Sequence, residues 1–129
     1  MKPILLSILL SLTAFCDISV IISPNNPLAK ISQKELADLY LKKTDTIHGI
    51  KVIPIDSTDT KTYQEFYQKI VQKNPEQIHA YWVNQIYTGD KQPPEKLSPE
   101  ELSHAMKKNN KIIAYSSNPL DGTITLSVK

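Results

Sequence analysis

The chain has 129 residues and a formal net charge of +2, a length that suits one domain and a charge too small for nucleic-acid binding by bulk electrostatics. Cys16 is the only cysteine, which excludes an intramolecular disulfide. All fifteen basic residues apart from histidine are lysine, so arginine, the usual bidentate clamp for phosphate and carboxylate, is excluded from any site.

The chain opens with Lys2, an apolar run from residue 4 to 12 broken only by serines, and Thr13-Ala14-Phe15-Cys16 before Asp17. A charged start, a short apolar run and a small-residue cut site read as a secretory signal over residues 1–16. The run is short of the roughly 20 apolar residues a membrane span needs. Cleavage after Cys16, with Ala14 three residues before the cut, fits best, and a cut after Ala14 is the alternative. A lipid anchor on Cys16 is opposed by Phe15, because the lipoprotein peptidase prefers a small residue there. The expected location is periplasmic or secreted. Residues 17–129 then form one domain, able to bury roughly 65% of its unfolded surface.

Residues 17–23 are β-branched and nearly continuous in apolar character, the pattern of a strand covered on both faces. Pro24-Asn25-Asn26-Pro27 breaks it. Ser32 and Glu35 make a capping box, and the helix it opens carries Leu36, Leu39 and Tyr40 on one stripe. After a polar stretch containing Gly49, residues 51–56 read as a second strand. Pro54 cannot donate to a ladder, which places that strand at an edge or a bulge. Tyr63, Phe66, Tyr67, Ile70 and Val71 follow a helical stripe. Asn74 caps a further helix with Pro75 at its first position and Ile78, Tyr81, Trp82, Gln85 and Ile86 inward. Residues 88–97 read as a loop. Ser98 and Glu101 make a second capping box, before a helix with Leu102, Ala105 and Met106 inward. Residues 111–115 and 123–128 are the last two strands. The order β-α-β-α-α-α-β-β predicts an α/β domain, a mainly parallel sheet of about four strands flanked by helices.

His48, His79 and His104 stand apart and form no metal-ligand spacing, and no metal or cofactor is expected. No nucleophile elbow or glycine-rich phosphate loop is present, and no nucleophile, base and orienter set suggests an enzyme. One constellation carries a hypothesis: Asp56, Ser57, Thr58, Asp59, Thr60 and Lys61, at the carboxyl end of a strand and the start of a helix. Ligands of parallel sheets bind there, and free N–H groups with the positive helix end favour an anion. The hydroxyls of Ser57, Thr58 and Thr60 would donate, Lys61 would add charge, and Asp56 or Asp59 would accept the proton of a protonated oxyanion. Against this stands the plain reading that Ser57, Asp59 or Thr60 only caps the helix, a role worth about 1 kcal/mol.

The residues 17–122 resemble the small, single-lobe relatives of the phosphate-binding protein of bacterial phosphate ABC transporters. The match rests on Ile22-Ser23-Pro24-Asn25-Asn26-Pro27, on residues 32–41, on Phe66-Tyr67 with Ala80-Tyr81-Trp82, on residues 87–94 and on residues 101–115. The resemblance implies a periplasmic-binding-protein-like lobe over residues 17–129, exported and without enzymatic activity, whose residues 56–61 take the place of the phosphate-contacting loop. This loop lacks the Ser/Gly-rich run and the arginine of full-length relatives. Three charge-assisted hydrogen bonds at roughly 1.5–3 kcal/mol each, set against at least about 4 kcal/mol for association, give a lone lobe about millimolar affinity or somewhat better. Tight binding would need a second lobe, from a homodimer or another protein. The alternative function is an adaptor of the same fold, without a small-molecule ligand, for a membrane transporter or sensor.

Overall fold

The computed structural model describes residues 18–89, 91–118 and 120–129; the expected signal segment and Cys16 lie outside the described residues. Strand β1 (Ser19–Ile22) buries Val20, Ile21 and Ile22 almost completely, as its unbroken apolar run requires. Strand β2 (Lys30–Ile31) leads into helix α1 (Gln33–Tyr40), whose capping box is complete: the Ser32 hydroxyl accepts from the Glu35 N–H, and the Ser32 N–H donates to the Glu35 carboxylate. Strands β3 (Thr46–Ile47) and β4 (Ile50–Lys51) form a tight hairpin. Its turn is His48-Gly49, both at positive φ, the conformation a two-residue hairpin needs.

Strand β5 (Ile53–Ser57) runs to the start of helix α2 (Thr60–Phe66), which continues as a π-helical turn, Tyr67–Val71. Helix α3 (Pro75–Thr88) has the Asn74 cap and Pro75 start expected of it. Strand β6 (Glu95–Leu97) lies within the stretch that reads as a loop in sequence. Helix α4 (Pro99–Lys108) begins with the Ser98–Glu101 capping box. Strand β7 (Ile112–Ser116) follows, and the last expected strand is split into β8 (Ile124–Thr125) and β9 (Ser127–Val128).

The central sheet has the order β6-β5-β7-β1-β8. β5 pairs parallel with β6 and β7, while β1 is antiparallel to both β7 and β8. Four strands therefore point one way, and β1 runs against them. β5 is internal to this sheet, not at its edge. Pro54 is tolerated because the Ile53 N–H donates toward the β7 side, to the Lys111 carbonyl at 2.9 Å. Backbone alternation turns the Pro54 nitrogen to the other side, where β6 begins only opposite Ile55. At that one residue the strand has a local edge.

Each face of the sheet carries its own core. On one, Val20, Ile22, Ile113 and Tyr115 pack with Leu36, Leu39, Tyr40, Phe66, Tyr67 and Trp82. On the other, Ile21, Ile55, Ile112 and Ala114 meet Leu102 and Met106 of α4. The Tyr40 hydroxyl ties the layers together by donating to the carbonyls of Ile55 (2.9 Å) and Ile113 (3.2 Å). Among the described residues no helix is long and apolar enough to cross a membrane.

Candidate functional site

A cavity of about 640 Å³ opens at the carboxyl ends of β5, β6 and β7, the end of an α/β sheet where ligands bind. One wall is the β5–α2 connection, Asp56, Ser57, Thr58, Asp59 and Thr62. Beside it lies the end of the neighbouring strand β7, Tyr115, Ser116, Ser117 and Asn118. Leu97, Pro99, Leu102 and Leu120 supply its apolar part.

Asp56 is the buried centre of the site, with only 3% of its surface exposed. Tyr115 donates to one carboxylate oxygen (Oδ1, 2.8 Å) and Tyr67 to the other (Oδ2, 2.9 Å). The Tyr115 oxygen also accepts from the Ser57 N–H at 3.2 Å. Phe66 stacks on Tyr115 with ring centroids 3.9 Å apart, and Tyr40 packs against both. A charge so enclosed is costly. Burial accordingly pushes the Asp56 carboxyl up to about 7, against the opposing pull of the Tyr115 and Tyr67 hydrogen bonds and of the Lys96 and Lys42 charges. Burial, and next the charge of Asp56, hold both tyrosine hydroxyls well above the usual phenol range, so both stay protonated donors at neutral pH.

Asp59 is the N-cap of α2: its Oδ2 accepts from the Thr62 N–H (3.0 Å) and from the Thr62 hydroxyl (2.6 Å). Those bonds from Thr62 hold its carboxyl below the usual range, so it is ionised. The Ser57 hydroxyl accepts from the Asp59 N–H at 3.0 Å, and the Thr58 N–H donates to the Leu97 carbonyl at 3.3 Å.

Of the six residues singled out in the sequence, Asp56, Ser57, Thr58 and Asp59 line the cavity together. Thr60 and Lys61 are exposed at the start of α2 and stand outside its lining, where Thr62 takes their place. The capping role of Asp59 and the cavity-lining role of the same loop coexist. Lys96 is the cation that sequence reasoning missed. It is the register partner of Asp56 across β5 and β6, and its ammonium sits 4.4 Å from the centroid of the Tyr63 ring, within reach of a cation–π attraction. Nothing in the sequence announced β6, so nothing announced Lys96. The Ser116-Ser117-Asn118 wall did have a signal. It follows an apolar strand, and the rule that drew attention to the end of β5 applies equally to β7.

None of the described residues lining the cavity is cationic, and among the described residues no group of three or more His, Cys, Asp or Glu side chains is placed to hold a metal ion. The lining is rich in acceptors and hydroxyls, so it favours a ligand that brings its own O–H protons.

The same architecture occurs within two solved structures. The chain superimposes on a structure described as a phosphate ABC transporter substrate-binding protein from Clostridium perfringens with bound phosphate, with a TM-score of 0.61 and 16% identity, over 87% of this chain and 44% of that one. It also superimposes on an ABC-type phosphate transport receptor from Vibrio cholerae, with a TM-score of 0.62 and 7% identity, over 87% of this chain and 46% of that one. The chain thus spans less than half the length of either, and at these identities the likeness shows the fold alone. No family model and no curated protein matches the sequence.

Proposed function

We propose that this chain is an exported, non-enzymatic solute-binding domain that recognises phosphate or a similar small oxyanion in the cavity at the end of β5. The observation that carries the reading is the enclosed Asp56, held by two tyrosines at the edge of a hydroxyl-lined cavity beside the start of α2. Such a carboxylate serves a protonated oxyanion as an acceptor for its O–H. In its own neutral form it donates instead. The hydroxyls of Ser57 and Thr58 and the N–H groups of Thr60 and Lys61 at the start of α2 meet the remaining oxygens, while Thr62 holds Asp59 in place. Lys96 adds positive potential from the neighbouring strand. The side chains of Thr60 and Lys61 contribute from outside the cavity, through the dipole end and the field rather than by contact. Support from relatives is of fold: the two superimposed proteins are a phosphate-binding structure and a phosphate transport receptor. Export rests on the signal-like residues 1–16.

Calorimetric titration of the full chain with inorganic phosphate tests this. Saturable binding near the millimolar range is expected, weakened at least about ten-fold by Asp56→Ala and by Ser57→Ala. No heat up to tens of millimolar phosphate (on the scale where about 1 mM corresponds to −4 kcal/mol) would overturn it. That result would leave the second reading, a protein-interaction module for a transporter or sensor. One observation favours the latter: α3 turns Val83, Ile86 and Tyr87 to solvent, at 53%, 57% and 89% exposure.

A further inference from the structure

We infer that the natural ligand of this cavity is a phosphate monoester of a polyhydroxylated compound, a sugar or polyol phosphate, rather than the bare ion. This rests on the oxyanion reading above and names the rest of the ligand. The first observation is size. A tetrahedral oxyanion takes up on the order of 100 Å³, judged from about 30 Å³ per water, whereas the cavity holds about 640 Å³. That volume lies in the range of sites for organic ligands of many atoms.

The second observation is how the space is lined. The polar side chains fall into two groups, one on the β5–α2 connection and one on the end of the neighbouring strand β7, with Leu97, Leu102 and Leu120 among the apolar residues of the lining. A bare ion at the β5–α2 wall uses one group and leaves the other to water. Ser117 and Asn118 are exposed at the end of β7 and offer a hydroxyl and a carboxamide, each able to donate and to accept. That pairing suits alcohol hydroxyls, and the leucines suit the C–H faces of a carbon skeleton.

The third observation is charge. Both acidic residues of the lining, Asp56 and Asp59, are already held by internal donors, and none of the described lining residues is cationic. An acceptor-rich wall without a counter-cation penalises the negative charge of phosphate and of its monoesters alike, and rewards added O–H donors. An organic monoester supplies them through its alcohol groups whatever the protonation of its phosphoryl oxygens.

Calorimetry on the full chain at one fixed pH, with inorganic phosphate, glucose 6-phosphate, phenyl phosphate and glucose as probes, tests the inference. Glucose 6-phosphate is expected to bind at least about ten-fold tighter than inorganic phosphate, the worth of one or two added hydrogen bonds. The double variant Ser117→Ala, Asn118→Ala should erase that advantage. Phosphate binding without tighter binding of the ester would overturn the inference while leaving the oxyanion reading intact. Phenyl phosphate equal to glucose 6-phosphate would remove the polyol part, and glucose equal to its phosphate would remove the phosphoryl part; either sinks the proposal. If no probe binds, the oxyanion reading falls and this one with it.

Discussion

Two regions of the molecule invert the usual distribution of side chains, in opposite senses. Around Asp56 a carboxylate is buried among Tyr40, Phe66, Tyr67 and Tyr115, where apolar groups belong. Along α3, Val83, Ile86 and Tyr87 face solvent, where polar groups belong, and only Ile78 and Trp82 of that helix are buried. The difference is in what each neighbourhood supplies. Asp56 has a hydrogen-bond donor for each oxygen and a rigid aromatic shell around it, so the cost of burial is offset and the carboxylate is fixed in place. The stripe of α3 leaves most of its apolar surface open to solvent. The first region is a rigidly held, buried carboxyl beside a cavity, whereas the second is a surface that single substitutions should hardly disturb.

The contrast can be broken most severely in the aromatic shell. Phe66→Ala removes a fully buried ring that stacks on Tyr115, and chemical denaturation should show a loss of about 3–5 kcal/mol. A loss under about 1 kcal/mol would mean the shell is not the rigid support described.

Next in size is the pH dependence of Asp56. Its folded pKa, about 7, lies above an unfolded value of about 3.9. The proton is therefore bound more tightly in the folded state. The stability it brings is complete below about pH 4 and is lost as pH rises through about 7, at up to about 1.4 kcal/mol per unit and about 4 kcal/mol in all. Glu35 and Asp59 are shifted the other way, so the quantity to measure is the difference between the parent chain and Asp56→Asn. Denaturant midpoints from about pH 4 to about pH 8, a range that spans both pKa values, should show that the parent loses stability relative to Asp56→Asn. Parallel curves would contradict the buried, shifted carboxylate.

Smaller effects sharpen the picture. Above about pH 7, Tyr115→Phe should cost about 2–3 kcal/mol and Tyr67→Phe about 1–2 kcal/mol, because the Tyr115 hydroxyl also satisfies the Ser57 N–H. Equal costs would argue that the Ser57 bond contributes nothing. Asp59→Ala removes the α2 cap and should lower the thermal midpoint measurably, by less than Phe66→Ala does. Tyr87→Lys, on the exposed stripe, should stay within about 0.5 kcal/mol of the parent in a thermal melt. A larger loss would show that the α3 face is covered in solution.

The features that could be read in the sequence were local ones. Ser32 with Glu35, Asn74 with Pro75, and Ser98 with Glu101 lie three residues apart or fewer, and each helix starts where they indicate. The α/β order and the Asp56–Asp59 loop followed from short patterns of the same kind. Pairing direction is not local. The β1 run has the same apolar character whether its neighbours run with it or against it, so its reversal was invisible. The two-residue strands β3 and β4 are too short to carry a period, and β6 follows Pro93-Pro94 with two charged residues. The site's central contacts join residues far apart in sequence, Asp56 with Tyr67 and with Tyr115, and no spacing rule reaches that far. Thr60 and Lys61 offer a hydroxyl and a cation near the helix start, but the turn of the helix carries them to the exposed side and brings Thr62 to the cavity.

The most direct test of the central claim is an amide-resolved NMR titration of the chain with inorganic phosphate. The account predicts progressive shifts in the amides of Ser57, Thr58, Asp59 and Thr62, with smaller ones at Ser117 and Asn118 and none along α3. Shifts confined to α3, or an unchanged spectrum around Asp56, would contradict it.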